Sequence, residues 1–187
     1  MKPLSLRKKI ILALLIASGV GTIVICLVMN FAIIPRIEAG DPPMRCFDMC
    51  TTGYTVEDAR AFVAWLSPEA LDTYLHVQLP LDFFYPLFYT VFFGLLWVVM
   101  HGKANAVLAV PVALAVADYT ENSLVIAMLK NPAFPSVVAR VASWATMLKT
   151  ALMYVTFLIL AITAIFLVFR IVRRRRQAKD GRGADVE

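Results

Sequence analysis

The residues best able to do chemistry lie inside apolar sequence. Asp118, Glu121 and Asn122 fall within five residues of one another, and Lys149 interrupts a second apolar run. A charge at the centre of a bilayer costs about 2.5–3.5 kcal/mol on insertion scales. Such groups must turn inward and find partners. Asp118 and Glu121 are three apart and Asn122 is four from Asp118, so on a helix all three share one face. Two carboxylates against one ammonium leave an uncompensated negative charge if all ionise. The chemistry open to that set is proton exchange, capture of a small ligand, or a buried lock that fixes helix register.

A second polar stripe, Asp82, Tyr85 and Tyr89, has the helical spacing i, i+3, i+7. Tyr89 lies about 10 Å deeper than Asp82 at 1.5 Å per residue, within reach of acids on a neighbouring helix. Asp118, Glu121, Asn122, Lys149, Asp82, Tyr85 and Tyr89 are the candidates for ligand or proton binding. Loss of activity or binding on replacing Glu121 by Gln, with assembly intact, would favour the binding or conducting role over the structural lock.

Cys46 and Cys50 have C-x3-C spacing. They suit a disulfide closing a small ring or a pair of thiols. A redox pair fits less well, because the spacing is not C-x2-C. His76 and Asp48 are in the same segment, but no metal-ligand spacing joins them to the cysteines, so no metal or other cofactor is expected. Cys26 reads as a small apolar residue. The run Arg173, Arg174, Arg175 and Arg176 is an orientation signal and a contact for anionic lipid headgroups. The net charge of +5 is concentrated in the tails, with no aromatic-interleaved basic stripe, so nucleic acid is not an expected partner. Gly-rich phosphate loops, H-E-x-x-H and G-x-S-x-G are missing.

The elements that hold these residues follow from composition. Of 187 residues, 60% are hydrophobic and 17% charged. Soluble domains carry about 25% charged residues, so a soluble globular enzyme is disfavoured. Four stretches reach the roughly 20 apolar residues a spanning helix needs: 10–34, 81–100, 106–129 and 141–169. They are flanked by a basic arm (1–9), a segment at 35–80, short loops at 101–105 and 130–140, and a basic tail (170–187). The first stretch is much longer than a signal-peptide core and reads as an uncleaved anchor.

Lys and Arg crowd both tails, whereas Arg36, Arg45 and Arg60 are outnumbered by acids in 35–80. Both termini are therefore expected to be cytoplasmic, in a plasma membrane of the bacterial inner-membrane kind. Thr55 ahead of Glu57 and Asp58, and Ser67-Pro68-Glu69, predict two short amphipathic helices on the outer mouth. Ala13, Ala17 and Gly21 on the first span, and Ala109, Ala113 and Ala117 on the third, form small-residue stripes suited to close helix contact.

Glu121 lies about 12–14 Å from the outer end of its span, and Lys149 falls at nearly the same depth below Arg140. The expected fold is an all-α integral membrane four-helix bundle. The expected function is a non-enzymatic binding, accessory or assembly role, with a membrane-protein partner or a second copy. A carrier of protons or small ligands is the alternative, and a lipid-modifying enzyme a more distant one.

Overall fold

The computed structural model describes residues 5–184, with side chains through 170 and at Arg173. No strand occurs among them. Among the described residues, four helices are long and apolar enough to cross a membrane: Leu6–Ile37, Pro68–His101, Ala106–Lys130 and Ser136–Arg170. We label them α1, α3, α4 and α5, with α5 extending to Ala184, and the short helix Val56–Trp65 is α2.

Prolines shape these helices in a regular way. A proline clashes with the carbonyl four residues earlier and supplies no N–H to it. Pro35 and Pro80 nevertheless lie in unbroken helix, because a widened π-turn precedes each, at Met29–Ile33 and Tyr74–Gln78. Those turns contain Phe31 and His76, the residues whose carbonyls the prolines would meet. Pro86 is handled differently. It leaves the Asp82 carbonyl without an intrahelical donor, and the Asn122 amide donates to that carbonyl at 3.1 Å.

The segment between α1 and α3 folds on its own aromatic centre. Phe47, in a 3-10 turn at Phe47–Met49, has its ring 4.9 Å from those of Tyr54 and Phe62. Thr55 and Asp58 close a reciprocal capping box at the start of α2. Ser67 caps α3, with Pro68 in the first helical position. Two separate short helices were expected here. Only α2 stands apart, because the second runs through its π-turn directly into the second long helix.

Gly53 is where this segment closes on α5. Its φ is +86°, and a Cβ there would come within 2.8 Å of the Ser143 hydroxyl. The next residue, Tyr54, donates its backbone N–H to that same hydroxyl at 2.9 Å.

The long helices pack in chain order, α1 on α3, α3 on α4 and α4 on α5. Gly102, at φ +75°, ends α3 in a left-handed cap and turns the chain toward α4. α4 is the central helix and contributes Leu114, Ala115, Ala117, Val125, Met128 and Leu129 to the core. The α1 contact differs from the stripe expected of it. Ala13 and Ala17 are exposed, and Ser18 and Gly19 are the buried pair. Small residues at 19 and 21 make room for the rings of Phe92 and Phe88. On α4, Ala109 and Ala113 are likewise exposed and only Ala117 is buried. A four-residue repeat drifts around a 3.6-residue helix, and bulky aromatic partners selected another face.

Two apolar clusters result. One gathers Ile34, Ile37, Phe47, Phe62, Leu79 and Phe134, and the other gathers Tyr89, Phe93, Leu114 and Ala115. Along α3 and α4, Asp82, Asp118, Glu121 and Asn122 lie between residues of the two clusters. The core is thus two apolar blocks with a polar layer between them.

A candidate acidic cavity

Lys149 is the hub of the polar layer. Its ammonium pairs with Glu121, lies 3.4 Å from Asp118 and lies 3.6 Å from Asp48. Each of those carboxylates holds a further donor. The Thr146 hydroxyl donates to Glu121 at 2.5 Å, the Tyr89 hydroxyl to Asp118 at 3.1 Å, and the Tyr74 hydroxyl to Asp48 at 2.9 Å. Glu121 and Asn122 are completely buried and Asp118 nearly so.

Asp82 is the exception. It is 3% exposed, and its carboxylate makes no hydrogen bond or ion pair among the described residues. The positive charge nearby is already shared by three other acids. With all four carboxylates ionised against one ammonium, the layer carries three negative charges in excess. Neutrality in such a place requires protons or a cation.

A cavity of about 260 Å³ adjoins the layer. Asp48, Asp82, Asp118 and Lys149 form its polar wall, and Tyr85 lies beside them. Glu121, Asn122 and Tyr89 are absent from its lining. The seven candidates therefore divide by role. Glu121, Asn122 and Tyr89 brace the layer from behind, while Asp82, Asp118, Lys149 and Tyr85 face space. Glu121→Gln would test the brace and not the cavity.

Asp48 is the member that sequence reasoning did not place here. It reaches Lys149 from the segment after α1, across about a hundred residues of chain. The available signal was local: an acid between the large apolar residues Phe47 and Met49. Buried Phe47 anchors the turn and aims Asp48 inward. His76 is not near Asp48's site: its ring meets Asp72 at 2.8 Å on an exposed surface. No cluster able to hold a metal ion occurs among the described residues.

Cys46 and Cys50 are free thiols in this structure. The Cys46 backbone N–H donates to Glu38 at 2.7 Å, and the Cys50 thiol donates to the Cys46 carbonyl at 3.4 Å. Burial pushes both thiols above the ordinary range, Cys46 the further, so neither is an activated thiolate. Arg173 is exposed, and the side chains of Arg174, Arg175 and Arg176 lie outside the described residues. Compared with known protein families, curated proteins and solved structures, the chain matches none.

Proposed function

We propose that this chain is an integral membrane protein that binds a small positively charged group in its acidic cavity, without transforming it. One observation carries the reading: the Asp82 carboxylate lies on the cavity wall, buried and unpartnered. A buried acceptor without a donor is costly, and a ligand that supplies the donor recovers that cost. The acidic segment above the cavity is taken as the outer face and the basic tails as cytoplasmic. On that reading the cavity lies beneath the outer mouth, and the Arg173–Arg176 run meets anionic headgroups on the opposite side.

The test is calorimetric titration of the purified chain with ethylammonium at pH 7, beside an Asp82→Asn variant that retains its melting transition. Saturable heat in the parent and none in the variant is the expected result. Equal heats in both would end the proposal. Proton carriage is the second reading, favoured by the same lone carboxylate. It predicts Asp82-dependent proton flux into liposomes without any requirement for amine.

A further inference from the structure

The acidic-cavity reading fixes the charge of the ligand, and the surroundings of the cavity say what is attached to that charge. Resting on that reading, we infer that the ligand is the protonated primary amine of an amphiphile, whose hydrocarbon chain leaves the cavity sideways between α1 and α5.

Size comes first. Sites that enclose a whole drug-sized molecule run to about 300–1,000 Å³. A cavity of about 260 Å³ holds a headgroup and not a lipid. Whatever is attached to the headgroup must lie outside.

The direction of exit follows from helix packing. α1, α3, α4 and α5 pack as a row, and α1 and α5 are not among the extensively packed pairs. The cavity occupies the gap this leaves. Its walls include Met29 and Asn30 from α1 and Met153 and Tyr154 from α5, with Met49 of the connecting segment above. Asn30 and Tyr154 are exposed, one from each helix, and mark the lateral rim, while exposed Met49 and Thr51 of the connecting segment mark its upper edge. The side of the mouth between the two apolar helices faces the hydrocarbon of the bilayer, where an alkyl chain lies more favourably than at the edge formed by the connecting segment. Methionines beside it supply flexible, polarisable surface for an alkyl chain of no fixed shape.

The headgroup chemistry follows from Asp82. Its carboxylate lies on the cavity wall and accepts no hydrogen bond among the described residues. An ammonium with N–H groups supplies one, and a trimethylammonium does not. A bare metal ion fits poorly, because no metal-binding cluster is formed here among those residues. Lys149 cannot substitute for the ligand, since Asp48, Asp118 and Glu121 already engage it.

The experiment uses the full chain in nanodiscs of pure phosphatidylcholine, which contains no primary amine. Ethylamine, dodecylamine and dodecyltrimethylammonium are titrated at pH 7, each against the Asp82→Asn disc to subtract partition into lipid. After that subtraction, dodecylamine is expected to bind at least about tenfold tighter than either of the others. A dodecylamine bearing a terminal diazirine should label the facing parts of α1 and α5 on irradiation.

Asp82-dependent ethylamine binding, with dodecylamine no tighter or dodecyltrimethylammonium equal to it, would overturn the inference and leave the acidic-cavity reading standing. No Asp82-dependent binding of any amine would overturn both. Labels confined to α3 and α4 would overturn the sideways exit. Discs containing phosphatidylethanolamine separate the two sources of such an amine. Weaker apparent dodecylamine binding there supports a lipid headgroup as occupant, and unchanged binding supports a free alkylamine.

Discussion

Replacing Lys149 by Met tests whether the polar layer is organised around a single cation. The ammonium neutralises Glu121 in direct contact, Asp118 at 3.4 Å and Asp48 at 3.6 Å. Methionine keeps most of the side-chain volume and removes the charge. Each carboxylate would retain only its hydroxyl donor, from Thr146, Tyr89 or Tyr74. Removing one partner of a buried ion pair costs about 3–5 kcal/mol, because the other charge is stranded. At 1.4 kcal/mol per power of ten, the folding equilibrium constant falls by about two to three and a half powers of ten. The assay is reversible unfolding in mixed micelles, followed by tryptophan fluorescence. Adding Glu121→Gln to Lys149→Met should recover part of the loss, with a coupling of about 0.5–3 kcal/mol. A loss below about 1 kcal/mol, the value of an exposed pair, would refute the hub. Strict additivity of the two substitutions would refute the direct pair.

Three further outcomes follow from the segment above the cavity. The backbone N–H and hydroxyl of Thr55 donate to Asp58 and hold its carboxyl below the ordinary range. Its contribution to α2 is therefore complete above the unfolded value of about 3.9 and is lost as pH falls through the lower folded value. Hydrogen-exchange protection of Val56–Trp65, normalised for intrinsic rate, should drop across that acid window, and Thr55→Ala, which removes the hydroxyl donor and keeps the backbone N–H, should shrink the step. Gly53→Ala forces a side chain into a left-handed backbone against the Ser143 hydroxyl; melting should show a loss of about 1–3 kcal/mol together with weaker ammonium binding. Tyr74→Phe removes the hydroxyl that holds Asp48, and unfolding should report a loss of about 1–3 kcal/mol, with no change meaning that Asp48 needs no such donor.

The sequence disclosed the layer better than its shape. The contact between Glu121 and Lys149 follows from depth arithmetic, because helices rise by a fixed amount and both residues are counted from the same end. The approach of Tyr89 to Asp118 follows from the same arithmetic. Asp48 could not be placed this way, since it arrives on a turn whose path depends on Phe47, Phe62 and Tyr74 packing together. Helix continuity also escaped a local reading. Pro80 suggests a break, and a widened turn accommodates it only in the folded chain. The small-residue stripes misled for a related reason. They record where close approach is permitted, and the rings of Phe88 and Phe92 decided where it occurs.

Asp82 brings stability and binding into conflict, and that conflict can be measured. Around it, evolution had the means to satisfy a carboxylate: Thr146, Tyr89 and Tyr74 each serve one. Asp82 receives no such partner among the described residues, although Asn122 lies close enough to bond its backbone carbonyl. If the acid served only the fold, neutralising it would be harmful or neutral. If it is kept for a ligand, neutralising it should relieve the empty protein. Asp82→Asn preserves size and replaces an uncompensated charge by a neutral amide, so the ligand-free chain is expected to gain on the order of 1 kcal/mol or more, because a buried unpaired charge costs more than a buried unpaired neutral group. Saturating ethylammonium should stabilise the parent alone, in proportion to the logarithm of its concentration above Kd. Melting curves of parent and variant, with and without the amine, give all four values. A variant less stable than the ligand-free parent would show that Asp82 is part of the fold's own support and would remove the main argument for a cation in the cavity.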